Sequence, residues 1–170
     1  MLTSDETQSH SHNRHEIEYL QRWYARATDL LGEADEQSVS EGTAIYQRIF
    51  TPDIEITVTG NRTEERRSSG IDGWLEVVIG ALSPLGPTQH LIGTQLVEIQ
   101  TLSMQVDNRI ASGTALMRSY LQAWHDTPDG QVFLFIGTYT SDVRFTPGIG
   151  WQIWRMNLNR VTGETRPMGI

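Results

Sequence analysis

The feature that most constrains this chain is a change of texture near residue 87. Before it, apolar residues recur at three- and four-residue spacing. After it, four long segments, 87–100, 104–126, 131–146 and 149–160, alternate or read as strands, with turn signals at Asp107-Asn108, Pro128-Asp129-Gly130 and Pro147-Gly148. Helices followed by a run of antiparallel strands define an α+β order. A curved sheet of strands this long, folded over helices, leaves a cavity between the two layers.

The N-terminal half supplies three helices. The first is predicted over about Arg14 to Leu31, with Ile17, Leu20, Tyr24, Ala27 and Leu31 in one stripe and Gly32 as its stop. The second is expected from a cap at Ser40 to Phe50, with Ala44, Ile45, Ile49 and Phe50 inward, broken by Thr51-Pro52-Asp53. Asp53 to Thr59 then alternates with Ile54, Ile56 and Val58 on one face. Asn61 to Ser69 is charged and reads as a loop, and Gly70 to Leu82 as a third helix closed by Ser83-Pro84. Residues 1–13 are polar and read as a mobile tail, with His10, His12 and His15 solvated rather than metal-binding. Residues 14–170 form one domain, with no internal repeat.

Composition removes several chemistries. Cysteine is absent, so there is no thiol nucleophile, thiolate metal site or disulfide. Lysine is absent too, and all 13 basic side chains are Arg, which excludes a Schiff-base mechanism. A net charge of −8 argues against nucleic acid and anionic membranes as partners. No apolar run approaches the roughly 20 residues of a membrane helix, and the polar N-terminus lacks a signal core, so a cytoplasmic protein is expected. Phosphate loops, dinucleotide glycine fingerprints, H-E-x-x-H metal pairs and serine elbows are all missing, and neither a metal nor an organic cofactor is expected.

The chemistry must therefore come from residues scattered over several elements. Tyr24 and Asp29 sit on the first helix, five apart, about 140° beyond one full turn. His90 opens a long strand in Thr88-Gln89-His90-Leu91-Ile92-Gly93. A carboxylate that fixes the tautomer of an imidazole suits proton transfer near neutral pH. Spacing leaves open whether Asp29 is solvated, His90 structural and Tyr24 simply core. On the strand ending at His125, Ala115, Met117, Leu121, Ala123 and His125 share the smaller, more apolar face and are placed toward the pocket. His125 is equally compatible with a solvated turn residue. Arg144 and Arg155 read as outer-face ion-pair residues.

At these residues a resemblance appears. Thr88 to Gly93 resembles the T-Q-H-x-I-G segment of scytalone dehydratase, and Tyr24-Ala25…Asp29 resembles the first helix of that enzyme and of its SnoaL-like relatives. These include the bile acid dehydratases, within the nuclear-transport-factor-two-like superfamily. Gly137-x-Tyr139-x-x-Asp142 and Gly150-Trp151-Gln152-Ile153 resemble that family's closing strands. The resemblance implies a cone-shaped domain with a deep apolar pocket. It implies an Asp29–His90 dyad and a Tyr24 that binds a substrate oxygen. Thr28 and Val58 stand where the scytalone enzyme carries tyrosines, and are placed at the substrate.

Two kinds of function follow. One is a cofactor-free dehydratase, or closely related isomerase, acting by acid–base proton transfer on a small apolar carbonyl compound such as a steroid, polyketide or aromatic. The other is a non-catalytic ligand-binding or oxygenase-subunit-like module of the same fold. Leu116, Tyr120 and Trp124, with Trp151 nearby, are expected on the outer sheet face, and a homodimer or higher homo-oligomer is expected through it.

Overall fold

In the computed structural model, which describes residues 4–106 and 109–167, three helices pack on one strongly curved sheet. The helices are α1 (Ser4–Glu33), α2 (Glu36–Ile49) and α3 (Gly70–Leu82). The strands are β1 (Phe50–Gly60), β2 (Arg66–Ser69), β3 (Thr88–Met104), β4 (Ile110–Asp126), β5 (Gln131–Thr146) and β6 (Gly150–Pro167). Their order in the sheet is β2-β1-β6-β5-β4-β3. All neighbours are antiparallel except β1 and β6. The expected turn at Asp107-Asn108 lies outside the described residues.

The helices depart from expectation where polar contacts override apolar periodicity. α1 begins at Ser4, inside the stretch read as a tail; residues 1–3 of that stretch lie outside the described residues. The polar sequence before Arg14 has no stripe to announce a helix. A distant contact anchors it instead: Asn13 is buried, and the Trp151 indole N–H donates to its Oδ1 at 2.9 Å. Trp151 is therefore an inner-face residue, not part of the outer aromatic surface. α2 starts four residues before Ser40, because the Asp35 carboxylate accepts from the backbone N–H groups of Gln37 and Ser38 and is the better cap. Its buried face is Ser38, Gly42, Tyr46 and Ile49, and Ala44 is exposed.

β2 falls in the charged stretch expected to be a loop, because it has no apolar alternation to mark a strand. It is a charged edge strand, held to β1 by backbone pairing from Glu55↔Ser69 to Val58↔Arg66. Pro52 sits within the register shift between Phe50 and Glu55 of β1, where a missing N–H is tolerated.

The core lies between α1, α2 and the inner sheet face. Tyr24, Tyr46, Phe50 and Tyr139 form one buried aromatic cluster, with Tyr24 stacked on Tyr46 and edge-on to Tyr139. Each such pair contributes about 0.5–1.5 kcal/mol beyond its burial. On β4 the alternation is borne out: Ala115, Met117, Leu121, Ala123 and His125 are buried, and Tyr120 is 60% exposed. Arg144 and Arg155 pair with Asp53 and Asp142 at 2.6 and 2.7 Å. Among the described residues, no helix is long and apolar enough to cross a membrane.

Candidate active site

The site forms where the end of α1 meets the start of β3. Two devices hold these elements together. Gly32 leaves room for β3, since a Cβ there would lie 2.7 Å from the Thr88 methyl. Farther along, the Gln95 amide donates to the Glu18 carbonyl at 2.8 Å and accepts from Arg22 at 2.8 Å. With the strand pinned at both points, the backbone N–H of His90 donates to Asp29 Oδ1 at 3.0 Å. Its ring Nδ1 lies 2.7 Å from the same oxygen. An ionised carboxylate only accepts, so Nδ1 carries the proton and Nε2 is left as the free base. The His90 side chain is 8% exposed and that of Asp29 18%, so water competes little for this bond.

His90 forms part of the wall of a cavity of about 400 Å³ between α1, α3 and the sheet. Tyr24, Thr28, Val58, Leu121 and His125 also line it, whereas Met117 is buried in the core and does not reach the cavity. The size is that of an ordinary small-molecule pocket. Among the described residues no group of three or more His, Asp or Glu side chains is arranged to hold a metal ion.

His125 is buried rather than solvated. Its Nδ1 lies 2.7 Å from the Thr88 hydroxyl, and its ring stacks on Phe133. Burial chiefly, and the neighbouring His90 next, lower its pKa to about 4, against an upward pull from Asp29. It is neutral at pH 7.

The closed end of the cavity is a set of buried hydroxyls. Thr28 Oγ1 donates to the Tyr24 carbonyl at 2.8 Å, which leaves it to accept from the Tyr46 hydroxyl at 2.7 Å. Burial raises the pKa of Tyr24, partly offset by the polar groups of Thr28, Tyr139, Tyr46 and Trp74 around it. Tyr24 thus keeps its proton and remains a donor. Sequence reasoning missed Tyr139 and Trp74 as cavity residues. Trp74 is 4% exposed, and its Nε1 is turned toward the tyrosine hydroxyls without a well-formed hydrogen bond. A Trp on an apolar helix reads as core, and only its unpaired N–H distinguishes it.

Three helices on a six-stranded, mostly antiparallel sheet enclosing such a pocket are the fold of the nuclear-transport-factor-two-like proteins. One of these, from Salmonella enterica serovar Typhimurium LT2, is 14% identical, with a TM-score of 0.59 over 89% of this chain and 93% of that one. Residues 9–157 match the family model of the SnoaL-like domain, and the chain belongs to that family. The hexachlorocyclohexane dehydrochlorinase LinA, type 2, is similar over 98% of this chain and 95% of its own, at 18% identity and a TM-score of 0.67. A candidate scytalone dehydratase from Novosphingobium aromaticivorans DSM 12444 is similar over 99% of both chains, at 17% identity and a TM-score of 0.62. At these identities the likeness is one of fold. No curated protein matches the chain.

Proposed function

We propose that this protein is an acid–base lyase, a dehydratase or closely related isomerase, acting on a small apolar carbonyl compound without a cofactor. The observation that carries this reading is the 2.7 Å Asp29–His90 pair, whose imidazole forms part of the wall of a largely apolar cavity. His90 Nε2 removes a proton from the carbon next to the carbonyl, and the electron pair moves onto the carbonyl oxygen. Asp29 holds the ring and balances the imidazolium that forms. Tyr24, with the Trp74 N–H beside it, donates to the enolate oxygen. As the enolate collapses, the bond to a β-hydroxyl breaks, and the imidazolium proton leaves with it as water. Returning that proton to another carbon instead gives an isomerase. His125, neutral and fixed by Thr88, offers a hydrogen bond to the bound molecule, while Thr28, Val58 and Leu121 shape the space around it.

The test does not require the true substrate. A bicyclic ketone such as tetralone, incubated with the protein in D2O, should exchange its α-protons faster than in buffer, read by NMR. His90→Ala should abolish the excess. Binding of the ketone with no excess exchange would support a non-catalytic binding module instead.

We also propose a homo-oligomer closed through the outer sheet face, which leaves Leu91, Leu96 and Tyr120 about 60% exposed. Sedimentation at micromolar concentration should find dimer or larger, and a purely monomeric profile would remove the proposal.

A further inference from the structure

The mouth of the cavity is chemically unlike its interior. Arg62, Thr63, Glu64 and Arg66, from the turn between β1 and β2 and from the start of β2, line it together with Arg160 of β6, which pairs with Gly60 at the end of β1. Three guanidinium groups face one carboxylate in a chain whose net charge is −8. Among the described residues, none of the three arginines makes an ion pair.

Arg160 differs from a surface arginine in three respects. By alternation along β6 it shares the inner face with Leu158, and both line the cavity. Its guanidinium lies over the rings of Phe133 and Phe135, 5.9 and 5.6 Å from their centroids, which fixes its direction. Gly163 gives it room, since a Cβ there would come within 2.9 Å of Nη2. Its Nε is buried without an acceptor. A buried charged N–H in that state costs free energy until an acceptor arrives. An arginine fork held against aromatic rings matches the plane of a carboxylate.

We infer that Arg160, with Arg62 and Arg66 beside it, binds a carboxylate at one end of a ligand whose apolar body fills the cavity. The inference rests on the cavity as the ligand site and extends the function proposed above by naming a second group on the substrate. Register sets the distance between the two ends. His90 pairs with Ala123, Ala123 with Phe135, and Phe135 with Gly163, so three strand spacings separate His90 from the region of Arg160. At about 4.8 Å each this is roughly 14 Å along the sheet, and less through the cavity because the sheet curves. The carboxylate therefore sits across the apolar body from the reacting carbon and takes no part in the proton transfer.

The test compares naphthylacetate with naphthylacetamide, which has the same shape and no charge, by calorimetric titration of the full chain. The wild-type protein should bind the acid about ten- to hundredfold more tightly than the amide. Arg160→Met should erase that preference while leaving amide affinity within about twofold, and Arg160→Lys should keep part of it. His90→Ala should retain the preference in full, so loss of catalysis and loss of the anion site are read separately. Equal affinity for the two compounds in the wild type, failure of both to bind at millimolar concentration, or an undiminished preference in Arg160→Met would each overturn the inference.

Discussion

His90 and His125 stand side by side in one cavity wall, their rings nearly perpendicular with centroids 5.6 Å apart, and the fold gives them opposite neighbours. The first has a carboxylate at 2.7 Å and the second a hydroxyl at 2.7 Å and a phenyl ring against its face. A carboxylate balances an imidazolium, whereas a hydroxyl and a benzene ring do not. The same residue type is thereby divided into two parts. On the proposed function, the first ring carries the proton transfer, and the second is held neutral as a hydrogen-bonding surface. The division comes from α1, whose Asp29 hydrogen-bonds the β3 ring and acts on the β4 ring only through space.

The largest expected effect comes from removing the first ring. His90→Ala should lower turnover by about 10⁴-fold, the upper end for a lost general acid–base. His125→Ala should lower it only about tenfold, the cost of one neutral hydrogen bond. A larger loss at His125 would reverse the comparison. Asp29→Asn makes the neighbourhood of His90 resemble that of His125, because an amide can support the wrong tautomer and carries no charge. A loss of about 10²–10³-fold is expected, read as kcat on the ketone. Tyr24→Phe should be milder than Asp29→Asn, at about 10²-fold, since one oxyanion donor is removed and the ring still packs. Trp74→Phe should cost less again if Tyr24 holds the oxygen, and as much if the two donors share it. Circular dichroism should show all of these variants folded.

The contrast also explains what could be read in advance. The four strands and α3 were legible because each buries one face, and alternation follows burial: β4 shows it from Ala115 to His125. The Asp29–His90 pair was legible through the resembling motif but not through spacing, because the contact depends on Gly32 admitting Thr88 against α1. The start of α1 was hidden because a single long-range hydrogen bond, Trp151 to Asn13, leaves no periodic trace. Met117 was misplaced for a related reason. Alternation gives the face but not the depth, and in the middle of β4 that face meets the core rather than the cavity. Trp74 and Arg160 were invisible as cavity residues, since each is defined by a buried N–H lacking a partner, a property of packing alone.

The last effect concerns stability rather than rate, and isolates His125. In the unfolded chain its imidazole takes up a proton near the ordinary value of about 6.5, and in the folded protein only near about 4. Between those values the unfolded chain holds more protons, so lowering the pH stabilises it at the expense of the fold. The contribution is therefore absent above about pH 6.5, grows as a loss of stability down to about pH 4, and is constant below. The other titrating groups are common to wild type and variant, so the comparison between the two isolates His125. His125→Gln keeps a hydrogen-bonding group beside Thr88 and cannot be protonated. Urea denaturation at about pH 7 and at about pH 4.5 should show wild-type stability falling more steeply than that of His125→Gln. Parallel slopes would mean that His125 takes its proton as easily folded as unfolded, and the two imidazoles would then no longer be distinguished by charge.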